Sequence, residues 1–138
     1  DGFSPQKCPE IWSLEFLSKL KRRMQDKGYL ITYTSSAAVR KSLKNLGLNI
    51  FNIKPNFYDK KSLWSIGTLA TLDSHKNNPF ISELSRMEIE HLQTKASIPY
   101  RDPIGNLFSK EILEIRKKEQ LFSKLMDTNL WRKKWKMA

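Results

Sequence analysis

Long apolar runs are missing from this 138-residue chain. The longest span only a few residues, too short for a transmembrane helix. No basic stretch followed by an apolar one opens it, so no secretory leader is expected. There is a single cysteine, Cys8. That excludes an internal disulfide and zinc sites built on CxxC pairs, and it fits a reducing cytoplasm. P-loop, nucleophile elbow and metal-ligand cluster are all wanting. Glu88 and His91 stand three apart, a spacing two metal ligands could use. Surface helices show that spacing constantly, so no metal is expected.

Positive charge is what the chain has in excess, with 25 Lys and Arg against 14 Asp and Glu. Residues 1–72 hold 12 basic and 5 acidic side chains, residues 73–108 hold 4 and 5, and residues 109–138 hold 9 and 4. Two basic blocks thus flank a neutral middle. Such an excess suits a polyanionic partner, nucleic acid or an anionic membrane surface.

The opening DGFSPQKCPEIW reads as a loop because Gly2, Pro5 and Pro9 resist helix. Pro9 then starts a helix, with Ile11, Leu14, Leu17 and Leu20 at helical spacing to about Met24. Gly28 is its stop signal. The β-branched and aromatic run at residues 29–34 predicts a buried strand. Ser35 or Ser36 caps a helix with Val39, Leu43 and Leu46 on one face, and Gly47 ends it. Residues 49–54 and 63–72 predict two more strands, antiparallel to each other because the connection is too short for a helix. Alternating helix and strand implies a mostly parallel sheet with helices on its faces. Three strands do not close such a sheet, so upstream strands are expected, and the strand at Tyr29 should be incompletely covered without them. Further on, residues 82–95 predict a helix carrying Leu84, Met87 and Leu92. Residues 109–126 predict an amphipathic helix capped by Ser109. Its apolar side should hold Ile112, Ile115, Phe122 and Met126, with Leu113, Leu121 and Leu125 beside them. Trp131 and Trp135 of the WRKKWK tail share a face if the tail is helical, and would suit a membrane surface.

An acidic residue followed by Gly, an aromatic and Pro makes a stiff lip of the kind that serves a ligand at a strand end. There Asp1 could bind an amine or take its proton, and Phe3 could stack on a planar base. An ordinary turn with a packed Phe reads equally well from the residues alone.

The spacing DGFSPxKxPxxW, followed by GYLITYTSSAAVRKSLKNLG, resembles the methyltransferase domain of the MnmC family, tRNA wobble-uridine modification enzymes. LSRMEIEHLQTKASIPYRDP resembles the C-terminal extension of cyanobacterial relatives. The resemblance covers residues 1 to about 103. It implies an α/β fold: the C-terminal part of a Rossmann-like S-adenosylmethionine-dependent methyltransferase, residues 1–72, with a helical basic extension, residues 73–138. It also implies a methyl transfer from S-adenosylmethionine to the aminomethyl nitrogen of the tRNA wobble uridine, in the cytoplasm, without metal or membrane. By motif position Asp1 is the catalytic carboxylate. Gly2, Phe3, Pro5, Lys7 and Arg40 fall to substrate binding, Gly2 by close backbone approach and Pro5 by stiffening the loop. Arg40, on a helix face, is read either as a phosphate contact or as structural.

Three departures weigh on this reading. Cys8 stands where the family has Asn. NFYDKKS replaces a glycine-rich GFGRKRE segment. The upstream half that holds the cofactor in the family, by a glycine-rich turn and an acidic residue, is not in this chain. The chain by itself is therefore expected to be inactive and to bind the cofactor poorly. The competing classes are an inactive fragment, a basic RNA-binding module, or part of a bifunctional protein whose CH–NH oxidoreductase domain, and its FAD, lie elsewhere.

Overall fold

The computed structural model describes residues 3–54, 66–74 and 78–137. The 3₁₀ turn Pro9–Trp12 comes first, then α1 (Leu14–Arg22), β1 (Tyr29–Thr32), α2 (Ala37–Asn45), β2 (Asn49–Ile53) and β3 (Thr68–Thr71). After these run β4 (Ile81–Ser82), α3 (Arg86–His91), α4 (Ser109–Phe122) and α5 (Thr128–Lys134). The strands form one sheet in the order β1-β3-β2-β4.

β3 pairs antiparallel with both of its neighbours. β1 and β2 therefore run the same way, but with β3 inserted between them. This corrects the mostly parallel sheet expected from alternation. β2–β3 is antiparallel as the short connection requires, while β4, also antiparallel to β2, was too short to leave a pattern.

Side-chain alternation along the strands decides what each face meets. Leu30, Thr32, Ile50, Asn52, Thr68 and Ala70 share register rows and therefore one face. α2 lies there with Ala38, Val39 and Leu43 at 0% exposure. The opposite face holds a smaller cluster, Phe51, Leu69 and Ile81. Its β1 end is bare: Tyr29, Ile31 and Tyr33 are 47%, 63% and 49% exposed. The strand is covered on one side only, which corrects the buried-strand reading and matches the expectation of incomplete cover.

Local signals explain most helix ends. Pro9 opens only the 3₁₀ turn, and α1 starts at Leu14 with Ser13 as its cap: the Ser13 hydroxyl accepts from the Phe16 amide at 3.2 Å. α1 ends at Arg22, well before Gly28. Gly47, at φ +86°, closes α2: its amide reaches the Lys44 carbonyl at 3.0 Å and that of Leu48 reaches the Leu43 carbonyl at 3.1 Å.

Gly67 is required by space rather than by angle. A Cβ there would sit 2.3 Å from the Thr32 carbonyl oxygen, in the neighbouring strand. Gly67→Ala should therefore pry β1 from β3 and cost roughly 1–3 kcal/mol or more, read as a lower urea midpoint with unchanged m-value.

The later segment folds onto the first. Leu92, Tyr100 and Ile112 join Trp12, Leu17 and Leu43 in one core cluster. The IPYRDP stretch straps across α1. Glu15 accepts from Arg101 Nε at 2.7 Å and from the Asp102 amide at 2.7 Å, and Asp102 in turn accepts from the amides of Gly105 and Leu107.

The helix expected over residues 82–95 is shorter. Ser85 and Glu88 form a reciprocal capping box that starts α3 at Arg86. α4 begins at Ser109, so Ser109 is inside the helix rather than its cap. The Glu111 carboxylate instead takes the Phe108 amide at 2.9 Å. Its apolar side is also corrected: Ile112 is buried, but Leu121 is 70% exposed, Phe122 88% and Met126 43%. Arg116 and Gln120, not those residues, hold the helix down by donating to the carbonyls of Ala96, Ile98 and Lys95.

The tail is helical and turned inward. Trp131 is 1% exposed and stacks on His91 with centroids 4.1 Å apart. Its indole donates to the Met87 carbonyl, and Trp135 and Lys134 donate to Glu90. Trp131→Ala should cost about 3–5 kcal/mol, seen as loss of exchange protection across α5. Burial first, then the Arg40 and Arg132 charges, keep the His91 imidazole below its usual pKa of 6.5. The unfolded chain therefore takes up that proton first, and the docked tail should loosen as pH falls below about 6.5.

Candidate substrate-facing site

Two segments carry the sequence-predicted site. The first is the loop before α1, of which Asp1 and Gly2 lie outside the described residues. From Phe3 onward it is a tight turn. The Ser4 carbonyl accepts from the Lys7 and Cys8 amides at 2.9 and 3.0 Å. Trp12, buried in the main core, donates its indole N–H to the Phe3 carbonyl at 3.0 Å. The Trp of DGFSPxKxPxxW is thus the bolt that fixes the loop's backbone to the core. Phe3 itself is 63% exposed, so its ring faces outward. Pro5 is buried and acts by packing, while Lys7 is exposed.

The second segment is the carboxyl end of β1, where ligands sit in open α/β sheets. Each hydroxyl here holds the next turn of backbone. Thr32 Oγ1 accepts from the Thr34 amide at 3.2 Å, and Thr34 Oγ1 from the Ser36 amide at 3.1 Å. This replaces the expected Ser35 or Ser36 side-chain cap, since Ser36 makes no capping bond. Trp12 and Ala37, the first residue of α2, lie in the same core cluster, so the two motifs converge on one packed base.

Arg40 is not at a surface. Its side chain is 2% exposed and runs from α2 to the sheet. Nε donates to Thr68 Oγ1 at 2.8 Å, one terminal nitrogen to Glu88 Oε1 at 2.9 Å, and the other to Asn52 Oδ1 at 2.8 Å and the Gly67 carbonyl at 3.2 Å. Glu88 also accepts from Asn52 Nδ2 at 2.6 Å and from the Ser85 amide at 2.8 Å. Thr68 passes its own proton to the Thr34 carbonyl at 2.7 Å. A phosphate contact for Arg40 is thereby corrected. The guanidinium is spent on a buried network tying the strand-end turn to α3, which is the structural alternative.

Sequence reading missed Asn52, Thr68 and Gly67, and read Glu88 only as half of a metal pair. Among the described residues no cluster of His, Cys, Asp or Glu could hold a metal. His75 and the NFYDKKS segment lie outside the described residues. The described glycines do not form a cofactor cradle: Gly67 abuts the Thr32 backbone, Gly28 abuts that of Gln25, Gly47 ends a helix, and Gly105 turns the chain after Asp102. A groove of about 460 Å³, lined by Leu14, Glu15, Ser18, Lys19 and Arg22, contains none of the site residues. None of the described residues is assigned to S-adenosylmethionine.

Comparison with known proteins fits this picture. Residues 1–65 match the family model of S-adenosyl-L-methionine-dependent methyltransferases. Protein MJ0670 of Methanocaldococcus jannaschii is 30% identical over 91% of this chain and 34% of its own length. The tRNA 5-methylaminomethyl-2-thiouridine biosynthesis bifunctional protein MnmC of Campylobacter hominis is 40% identical over 46% of this chain and 9% of its own. The crystal structure of MnmC2 from Aquifex aeolicus superposes with a TM-score of 0.75 at 33% identity, over 88% of this chain and 37% of that one. This chain thus spans about a third of the length of MJ0670 and of MnmC2. With the methyltransferase family pattern over residues 1–65 and the α/β fold of MnmC2 along most of its length, the chain is MnmC-like in sequence and in fold.

Proposed function

We propose that the protein carrying this chain methylates tRNA, transferring a methyl group to the aminomethyl nitrogen of the wobble uridine in the cytoplasm. What carries this reading is the DGFSPxKxPxxW motif, with its Phe3 backbone bolted to the core by Trp12 and its ring exposed. S-adenosylmethionine supplies the electrophilic methyl. This chain supplies the substrate side. Asp1 takes up the proton of the substrate amine and aims its lone pair. Phe3 stacks on the extruded base, and Lys7 meets a neighbouring phosphate. Pro5 and Trp12 keep that lip in one geometry, so little ordering entropy is lost when the base arrives.

The test uses the full-length protein, methyl-labelled S-adenosylmethionine, and tRNA bearing either an aminomethyl or an unmodified wobble uridine. Label should enter the aminomethylated tRNA at the wobble nucleoside and not the unmodified one. Label in neither tRNA would overturn the reading.

A further inference from the structure

α4 buries Ile112 and packs Leu113 against the core, but its last turn carries Leu121 and Phe122 outward. Ile112, Arg116 and Gln120 hold it to the body. Lys117, Lys118, Leu121 and Phe122 line its exposed face, and Lys124 follows directly. Residues three and four apart are neighbours on a helix, so Lys118 stands beside both Leu121 and Phe122. The Phe122 ring is 88% exposed. None of these three lysines is engaged in an ion pair among the described residues.

We infer that this end of α4 is an RNA-docking surface, with Lys117, Lys118 and Lys124 meeting phosphates and Phe122 stacking on an unpaired base. Charge chooses the occupant. Three lysines against the single Glu119 at this end of α4, with one exposed aromatic ring among them in sequence, fit a polyanion that carries planar faces. A membrane fits worse. The rest of the exposed face of α4 is charged in both signs, at Lys110, Glu111 and Glu114. Trp131, the aromatic best suited to an interface, is buried against His91, and Trp135 is tied to Glu90. The surface gives the proposed tRNA methyltransferase a second grip on its substrate, and to that extent rests on the function proposed above.

The experiment measures tRNA binding by the full-length protein across a salt series. The Lys117→Ala/Lys118→Ala/Lys124→Ala variant should bind roughly 10–100-fold more weakly, with a log–log salt slope shallower by about 2–3. Phe122→Leu should weaken binding roughly 5–50-fold while Phe122→Tyr restores it, because a base stacks on a ring and not on a branched alkyl group. A lipid or protein partner would accept Leu as readily as Phe. Equal losses for Leu and Tyr, or unchanged binding in every variant, would overturn the inference. So would binding of the triple variant, but not the wild type, falling away from anionic phosphatidylserine vesicles while tRNA binding stays intact. A wild type that methylates tRNA with an unaffected triple variant sinks this surface and leaves the methyltransferase reading standing. A wild type that methylates no tRNA, yet binds it through these lysines, does the reverse.

Discussion

Glu88→Ala should destabilise the fold by about 3–5 kcal/mol, the range expected when one partner of a buried ion pair is removed. The cost comes from what is left behind. Arg40 is 2% exposed at its side chain, with no route to water once its carboxylate is gone. The Ser85 amide loses its acceptor at the same time, and Asn52 Nδ2 is left with only a 3.5 Å bond to the Glu83 carbonyl. Glu88→Gln is the sharper variant. It keeps volume but leaves the guanidinium uncompensated and turns an amide N–H toward donors. Replacing both members, Arg40→Met with Glu88→Leu, should cost less than either single change, because no orphaned charge remains. The pH dependence follows from the same contacts. Burial by itself would raise the Glu88 carboxyl, but the bonds from Asn52, Arg40 and Ser85 outweigh it and hold the pKa below the ordinary 4.5. The unfolded chain therefore binds this proton at higher pH than the folded one. The stabilisation is complete above about pH 4.5 and is lost as pH falls through the folded-state value. Urea midpoints across pH 3–6 (roughly the window this carboxyl spans) should fall toward acid in the native protein and much less in Glu88→Gln. A Glu88→Gln protein with native midpoint and native acid limb would show that the network carries no such weight.

How much of this was legible beforehand depends on the range of the signal. Short-range chemistry was readable. Gly47 announced the end of α2, and the alternation in NIFNIK announced β2. The short link from β2 to β3 dictates their antiparallel pairing. Long-range placement was not readable. Arg40 lies 48 residues from Glu88, and nothing near either residue says that they meet. Once β3 is known to lie between β1 and β2, the two-residue period puts Thr68 and Asn52 on the face under α2, and an arginine there must find a carboxylate. The capping-box pattern Ser85–x–x–Glu88 was visible in the sequence and would have started α3 correctly. α4 misled for a related reason. Its apolar residues are periodic enough to suggest a core face, but Arg116 and Gln120 capture the carbonyls of residues 95–98 and turn Leu121 and Phe122 outward. The anchoring of the loop motif is legible because it is confined to one short stretch, from Phe3 to Trp12.

Asp1→Asn, made in the full-length protein, should lower the single-turnover rate of methyl transfer by roughly 10²–10⁴-fold, the usual loss when a general base is removed. The substitution keeps the size of the side chain and one hydrogen-bond acceptor, so the loss reads proton uptake and charge rather than shape. A protonated amine has no lone pair to attack with, and the amide has no capacity to take its proton. The rate in Asp1→Asn should then climb with pH as solvent alone supplies more neutral amine, whereas the native enzyme should be flat over the same interval. Binding of tRNA should barely change, because the proposed grip uses phosphate contacts and base stacking rather than this carboxylate. Phe3→Ala separates the neighbouring role. Its backbone carbonyl still receives the Trp12 indole, so the loop stays pinned. What is lost is the proposed stacking on the base, and the effect should fall on KM and on kcat together without a new pH slope. Near-normal single-turnover rates in Asp1→Asn would strip that residue of its role. The lip from Phe3 to Pro9 would then be a scaffold, and the base that deprotonates the amine would have to be sought outside this chain.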